Sequence, residues 1–357
     1  MSAEEGDQVN VYGVIIDASY PVPTGKGKWV CTLKVIDNSL HTTGDARNPD
    51  FAFAVIIIYA NRFEECPIVR QIGDIVRVHR ANMKMYKGRR QYNVNVNFNA
   101  SWALFETNPK HALKGDDSAS DTEMGVDDAN GDGDGAGVSG GDYEPYKFSS
   151  KHYSLDMSVH RSICRGLRKW TIKYLAENMV VHASSYTSLS KLTAEDRRGR
   201  DIDLLVKVLK IHEKDEQTIE LRIKDVASTL WFLNLPKLRF GSINNIKVGE
   251  IIRVRSVRQD TTSRRNIITH KPTTNILKFL STSKIVTSMT ERIQDMTDTD
   301  RLLLEDSSEV LMSPVQLTEI TEVKDDGKIG INKNVGNPFR LQDLFLNFDS
   351  FPRDVKE

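Results

Sequence analysis

Two stretches of this chain are near-copies of each other, and they decide the fold. Residues 72–80 read IGDIVRVHR and residues 248–256 read VGEIIRVRS, an offset of 176 residues. A second pair, LKVID at 33–37 and LRIKD at 221–225, repeats in the same order at an offset of 188 residues. Runs rich in Val and Ile that follow a Gly-acid turn are typical of β-strands. The two pairs therefore predict two copies of one β-rich unit.

Further β-rich runs complete two sets of five predicted strands. The first set comprises Val9–Asp17, Lys28–Asp37, Phe51–Tyr59, Ile75–Met85 and Tyr92–Phe98. The second comprises Asp201–His212, Thr218–Asp225, Leu230–Leu235, Glu250–Arg258 and Ile267–Phe279, which is interrupted at Pro272, and a helix predicted over Ser158–Glu177 precedes it. Units of about 100 residues with five strands suit the OB-fold, a Greek-key barrel that binds oligonucleotides on one face and its loops. We therefore predict a mainly β protein with two tandem OB-fold barrels.

One predicted strand already separates an inner face from an outer face. Cys31, Leu33 and Val35 alternate with Val30, Thr32, Lys34 and Ile36 along residues 29–36. Because successive side chains of a strand point to opposite sides, one face is apolar and the other is mixed. This pattern is typical of a small barrel whose outer surface is available for binding.

An acidic segment separates the two strand sets. Residues 115–144 hold ten acidic residues, eight glycines and no Lys or Arg, so they are predicted to be a disordered linker. Outside this segment basic residues outnumber acidic residues by ten, although the whole chain is neutral. The predicted organisation is a first barrel over 7–110, a linker over 111–147, a helix with a second barrel over 148–296, and a C-terminal extension over 297–357. The basic excess suits a polyanionic partner or a plain solvated surface equally well.

Several classes of protein are not indicated by the sequence. No stretch reaches the ~20 consecutive apolar residues of a membrane span, and the acidic start does not resemble a signal peptide. The three cysteines are scattered, the eight histidines lack metal-ligand spacing, and no nucleotide-loop, zinc-protease or serine-hydrolase motif occurs. An EF-hand-like start at Asp128 lacks the Glu at its twelfth position, which is Ser139. We therefore predict no catalytic residues, no metal and no cofactor, and expect a binding function.

Basic residues interleaved with aromatic residues give the strongest binding signal. Residues 83–92 read MKMYKGRRQY, which places Tyr86 and Lys87 in a Lys/Arg-rich hairpin. Such a hairpin suits a single strand, because cations follow the phosphates while an aromatic ring stacks on a base. The alternative is an exposed basic hairpin in which Tyr86 is half buried.

Two aspartates open the second predicted barrel. Asp201 and Asp203 are two residues apart, so both carboxylates lie on one side of the strand. A carboxylate accepts hydrogen bonds, which suits the N1–H and N2–H donors of an unpaired guanine. Taken alone, the pair is also typical of a strand start or a salt bridge.

Several runs resemble a known family, the telomere end-binding protein alpha subunits of ciliates, which are relatives of the protection-of-telomeres proteins. The resemblance spans roughly residues 8 to 296 in order. The runs that carry it are Gly13–Pro21, Cys31–Asp37, Tyr59–Ile68, Gly73–Ala81, Ser101–Phe105, Ser149–His152, Leu167–Trp170 and Val206–Asp225. It implies a nuclear, telomeric protein that binds the single-stranded, G-rich 3′ overhang, caps the chromosome end and regulates the access of telomerase.

The resemblance also implies a set of DNA-binding residues. In the first barrel these are Thr24, Lys34, Tyr86, Lys87 and Phe98, and in the second they are Asp201, Asp203, Arg253, Arg255, His270 and Lys271. In the first barrel Pro23 stands where the family has a lysine and Phe98 where it has a tyrosine, and in the second barrel Gln217 and Lys271 stand where the family has tyrosines. The second barrel is therefore expected to stack bases less strongly.

The expected partners follow from the same resemblance. Residues 338–345, PFRLQDLF, resemble the start of a third barrel that engages a beta subunit in the family, and the sequence ends soon after. We therefore expect single-stranded telomeric DNA as the main partner, with telomerase or other telomeric proteins as further candidates and a beta-type subunit disfavoured. Two other functions stay open: a general single-strand-binding replication protein and a protein-interaction scaffold.

Overall fold

The computed structural model of the protein is mainly β-structure. It describes residues 5–39, 53–87, 89–107, 144–149, 157–181, 185–192, 201–226, 230–240, 246–260 and 266–293, and the strand pair 322–323 and 329–330. The chain divides into two compact units, Met1–Gln294 and Asp295–Glu357. In the second unit the description is limited to that antiparallel strand pair. The first unit contains two barrels.

The first barrel closes on itself. Its strands are β1 (Gln8–Ala18), β2 (Val22–Pro23), β3 (Trp29–Ile36), β4 (Ala54–Ala60), β5 (Ile75–Tyr86) and β6 (Arg89–Asn95), with β7 (Ser101–Phe105) and β8 (Lys147–Phe148) added beyond β5. The sheet runs β1-β3-β4-β6-β5 and returns to β1, and the β4–β6 pair is parallel. This connectivity is that of the predicted OB-fold. Along β3, Cys31, Leu33 and Val35 are buried in the barrel as the alternation predicted.

Two features of this barrel differ from the prediction. The fifth barrel strand begins at Arg89 rather than Tyr92, because Tyr86 pairs with Arg89 across a tight hairpin that sets the register. It ends at Asn95, where the Asn95 side chain accepts a hydrogen bond from the Asn97 amide at 3.2 Å and so forms a turn. Strand β7 was not predicted. Its five residues are all buried, so the run lacks the alternation that marks a half-exposed strand.

The second barrel repeats the first. Helix α1 (Met157–Glu177) is followed by β9 (Ile202–Glu213), β10 (Thr218–Lys224), β11 (Trp231–Pro236), helix α2 (Lys237–Phe240), β12 (Ile251–Gln259), β13 (Ile267–Thr269), β14 (Asn275–Lys278) and helix α3 (Lys284–Arg292). The sheet runs β13-β11-β10-β9-β12, and the β12–β13 pairing closes it, with β11–β13 parallel. The last predicted strand is split into β13 and β14 by a turn at 270–274, where Pro272 lies.

The sequence repeat extends to the backbone dihedral angles. Gly73 and Gly249, which precede β5 and β12, have φ values of +102° and +91°. Seven residues later Arg80 and Ser256 adopt left-handed conformations with φ values of +56° and +55°. Matching positions of the two barrels therefore share one turn and one strand irregularity, and the turn explains why glycine stands at both.

Alanine substitution of the two glycines is expected to distinguish the cost of backbone strain from the cost of steric overlap with neighbouring side chains. Gly73→Ala and Gly249→Ala each place a side chain in a left-handed conformation, at a cost of about 1–2 kcal/mol. A Cβ on Gly73 would also lie 3.0 Å from Leu175 and 3.1 Å from Leu280, whereas the space around Gly249 is open. Urea unfolding should therefore show Gly73→Ala as the more destabilised variant by about 1 kcal/mol or more. Equal losses would contradict the packing at Gly73.

The two barrels pack directly against each other. The Lys278 amide donates a hydrogen bond to the Arg70 carbonyl at 2.9 Å, and the Ile72 amide donates to the Lys278 carbonyl at 2.8 Å. Leu277 and Phe279 belong to the same cluster of buried side chains as the core of the first barrel. These hydrogen bonds and the shared core fix the position of one barrel relative to the other.

A buried carboxyl group holds the segment that precedes helix α1. Asp74 accepts hydrogen bonds from the Tyr146 hydroxyl at 3.0 Å and from the Thr107 amide at 3.3 Å. The Tyr146 amide also donates to the Leu104 carbonyl at 3.0 Å, so this segment docks onto β7. The predicted linker therefore ends in docked residues, while residues 108–143, its main part, lie outside the described residues.

Asp74 is expected to make stability depend on pH. Burial raises the pKa of Asp74 to about 7, with Glu106 adding to the rise and the Thr107 and Tyr146 hydrogen bonds and Arg168 opposing it. A folded pKa above the unfolded value means that this group stabilises the fold fully below about pH 4 and loses that contribution as the pH rises to about 7. Asp74→Asn should remove this pH dependence from the free energy of unfolding, measured by urea unfolding at a series of pH values. Tyr146→Phe should keep the pH dependence, because it leaves the Asp74 carboxyl in place. Identical profiles for wild type and Asp74→Asn would contradict the assignment.

Candidate nucleic-acid interface

The hairpin between β5 and β6 presents an aromatic ring to solvent. Tyr86 is 58% exposed, and the Lys87 ammonium lies 5.4 Å from its ring centroid. Lys87 has a φ of +50°, a left-handed value that suits a tight hairpin, and both side chains are exposed. Of the two alternatives for Tyr86, the structure favours the exposed ring over the half-buried one.

Beside this hairpin lies a cluster of two cations and a second ring. The Lys34 ammonium is 5.2 Å from the ring centroid of Phe53, and the Arg89 guanidinium is 4.7 Å from it. Lys34 is on the outer face of β3, as the alternation predicted. Phe53 and Arg89 were missed as site residues. Phe53 precedes β4 and Arg89 begins β6, and the parallel pairing of those strands brings the two together.

The opposite end of β6 carries the most exposed of the predicted aromatic residues. Phe98 is 68% exposed in the turn after β6, which the Asn97 side chain ties to the Asn61 amide at 3.3 Å. Seven residues of strand separate this turn from the Tyr86 hairpin, so the two ends of β6 lie about 20 Å apart. That separation suits several unpaired nucleotides.

In the loop between β1 and β3, a lysine is exposed while the threonine hydroxyl is already hydrogen-bonded. The Thr24 hydroxyl accepts a hydrogen bond from the Lys28 amide at 3.2 Å, and the Thr24 amide donates to the Lys28 carbonyl at 2.6 Å. Thr24 therefore shapes the loop, while Lys26 is exposed at its tip.

In the second barrel, Asp203 already has partners. Its Oδ2 accepts from Arg255 Nε at 3.1 Å, and its Oδ1 accepts from the Ser256 amide at 2.9 Å. The first barrel has the same arrangement, because the Asn10 side chain accepts from the Arg80 amide at 3.0 Å. The repeated contact gives Asp203 a role in holding the strand irregularity, besides any contact with a base.

Asp201 is the more accessible of the two aspartates. Its side chain is 52% exposed and forms an ion pair with Lys271. Asp201 immediately precedes β9 and Asp203 is its second residue, with Ile202 buried between them. A further hydrogen-bond donor can therefore reach the Asp201 carboxylate at the expense of one surface ion pair.

The two arginines of β12 do not lie on the open surface together. Arg253 is 4% exposed, with its guanidinium 3.2 Å from Asp17 Oδ1 and 3.7 Å from Asp203. Burial lowers the pKa of Arg253, the neighbouring Arg255 adds to this, and Asp17 and Asp203 counter it. Arg255 is half buried and donates to Asp17 at 3.0 Å. In this structure Arg253 joins the two barrels. Its contact with DNA stays a prediction.

His270 and Lys271 form part of the turn between β13 and β14. Burial lowers the pKa of His270, and Arg239 and Arg258 add to this, against a hydrogen bond with the Asn234 backbone. The ring is therefore neutral at neutral pH and can stack but contributes no charge. Gln217 is exposed, in the position where the family has a tyrosine.

Within the ranges given above, no group of three or more His, Cys, Asp or Glu residues is placed to hold a metal ion. None of the helices in the described part of the chain is both long and apolar enough to cross a bilayer.

Two closed, abutting barrels, the first of which carries exposed rings and lysines, define a tandem OB-fold protein. Residues 1–181 match the family described as "Telomeric single stranded DNA binding POT1/CDC13", and residues 190–291 match "Telomere end-binding protein alpha subunit OB2 domain". The chain belongs to this telomere end-binding family, which confirms the resemblance found in the sequence.

Curated relatives agree with the family. The telomere-binding protein subunit alpha of Stylonychia mytilus is 34% identical over 98% of this chain, and that of Sterkiella nova is 33% identical over 95%. The chain spans 64% and 62% of the lengths of these two relatives. A solved structure of fission yeast Pot1 with single-stranded DNA aligns with 82% of this chain and 89% of its own, at 16% identity and a TM-score of 0.29. Both curated relatives are named as telomere-binding proteins.

Proposed function

We propose that the protein binds the single-stranded, G-rich 3′ overhang of telomeres in the nucleus and caps it without catalysis. The observation that carries this proposal is the pair of exposed rings near the two ends of β6, Tyr86 with Lys87 beside it and Phe98. Membership of a telomere end-binding family supports the same substrate. Binding would withhold the terminal bases and 3′ hydroxyl from nucleases and from telomerase.

The described residues suggest how an unpaired strand is held. Bases stack on Tyr86 and Phe98, each contributing about 1–3 kcal/mol, while Lys34, Lys87 and Arg89 neutralise phosphates. The strand continues to the second barrel, where Lys271 supplies a cation. These contacts favour a single strand over a duplex, because the rings need unpaired base faces.

Guanine is selected chiefly by Asp201 in this proposal. Its exposed carboxylate can accept two hydrogen bonds from the Watson–Crick edge of an unpaired guanine, at the expense of the Lys271 ion pair. Lys271 is then released for a phosphate. Asp203 contributes a second acceptor only if Arg255 turns away from it, since Arg255 Nε donates a hydrogen bond to its Oδ2.

A competition experiment tests the specificity. A labelled G-rich telomeric single strand is displaced by the same strand unlabelled, or by an equally long strand of mixed sequence. We expect at least a tenfold preference for the G-rich strand, about 1.4 kcal/mol. Equal affinities would instead identify a general single-strand-binding protein.

A further inference from the structure

Arg239 of helix α2 in the second barrel contacts both barrels. Its guanidinium carbon lies 3.6 Å from the ring centroid of Tyr20, a residue of the first barrel. The same group donates to the Pro272 carbonyl at 2.8 Å, to the Lys271 carbonyl at 3.3 Å and to the Thr274 carbonyl. One planar cation thus stacks on one barrel and donates hydrogen bonds to a turn of the other.

On the first-barrel side, Tyr20 belongs to the loop of residues 19–28. Its ring packs on Phe63, with centroids 5.5 Å apart, and Phe63 packs edge-on against Trp29 at 5.2 Å. These contacts fix Tyr20 to the barrel wall. Because Tyr20 is fixed, the contact between Arg239 and Tyr20 also fixes Arg239 relative to the whole loop, which carries Thr24 and Lys26.

On the second-barrel side, the turn 270–274 is internally braced. The Lys271 amide donates to the Thr274 hydroxyl at 2.7 Å, and that hydroxyl donates to the Ser256 carbonyl at 2.7 Å. The turn carries His270 and Lys271, two of the predicted DNA-binding residues. Because it is braced, it moves with Arg239 as a unit.

We infer that Arg239 is a positioning residue that aligns loop 19–28 of the first barrel with turn 270–274 of the second, so that one unpaired strand contacts both. This inference rests on the proposed function. Lysine cannot replace Arg239 here, because an ammonium neither stacks flat on a ring nor reaches three carbonyls at once. The ion pairs of Asp17 and the backbone contacts of Lys278 join the barrels independently, so the loss of Arg239 affects the alignment of the loops rather than the association of the barrels.

The test is a double-mutant cycle on the full chain. Arg239→Ala, Arg239→Lys, Tyr20→Leu and the Arg239→Ala/Tyr20→Leu double variant are titrated with G-rich single strands of about 6 and about 16 nucleotides, one short enough for a single barrel and one long enough for both. Leu238→Ala is the matched control, because Leu238 is 94% exposed on the same helix. Hydrogen exchange at the amides of Ile72 and Lys278 checks that each variant is folded and that the barrels stay joined.

Arg239→Ala, Arg239→Lys and Tyr20→Leu are each expected to bind the long strand about tenfold more weakly than wild type. Their affinity for the short strand should stay within about twofold of wild type, because alignment contributes only when two sites are linked. Leu238→Ala should bind both strands as wild type does. The double variant should match the singles, since all remove the same contact. Additive losses, full affinity of Arg239→Lys, or unchanged long-strand binding would overturn the inference. Failure of the wild type to bind either strand would reject the proposed function instead.

Discussion

Replacement of Asp17 with asparagine is expected to lower the free energy of unfolding by about 3–5 kcal/mol, since it leaves a buried arginine without its main counter-ion. Asp17 is 3% exposed and lies 3.2 Å from Arg253, 3.0 Å from Arg255 and 3.3 Å from Lys34. Asparagine keeps the size of the side chain and can keep the hydrogen bond from the Ala18 amide, so the variant removes the charge and one acceptor oxygen with little change in shape.

Two further variants separate this charge effect from general disruption. Asp201→Asn is the matched control, because Asp201 is exposed and pairs with one lysine, and its loss should cost less than about 1 kcal/mol. Adding Arg253→Met to Asp17→Asn should recover part of the lost stability, because the uncompensated charge is then gone. Urea unfolding measures all of these. A loss for Asp17→Asn no larger than that for Asp201→Asn would contradict the role of Asp17 at the junction.

Removal of the exposed rings is expected to weaken binding without affecting the fold. Tyr86→Ala and Phe98→Ala should each reduce the affinity for a G-rich single strand by about 1–3 kcal/mol, because each ring stacks on a base. Both rings are exposed, so thermal unfolding should stay close to wild type. The measurement is fluorescence anisotropy of a labelled strand.

Phe148→Ala provides the control for these ring variants. Phe148 is an exposed aromatic residue on β8, which pairs with β7 away from the β5–β6 hairpin, and its loss should leave the affinity unchanged. A loss far below 1 kcal/mol for both Tyr86→Ala and Phe98→Ala would favour the protein-interaction scaffold.

The sequence was sufficient to predict the barrels because strand alternation and turn glycines are local signals. Cys31, Leu33 and Val35 face the core, and Gly73 and Gly249 occupy matching turns, as the patterns indicated. Strand β7 was missed because a fully buried run carries no alternation.

The site was less predictable, because its arrangement depends on contacts between distant parts of the chain. The spacing of Arg253 and Arg255 shows that both leave one side of β12, but not that the first barrel covers Arg253. Asp17 lies at the end of β1 and Tyr20 in the loop that follows it, with no local feature that marks their partners more than 200 residues away. Residues of this kind are found only when the two barrels are seen together.

Photo-cross-linking of the full chain to a G-rich single strand with photoreactive bases tests the central claim most directly. The account predicts that one strand cross-links both to Tyr86 or Phe98 in the first barrel and to the turn 270–274 in the second. Cross-links confined to one barrel, or found instead around Phe148 on β8, would contradict a single continuous binding surface.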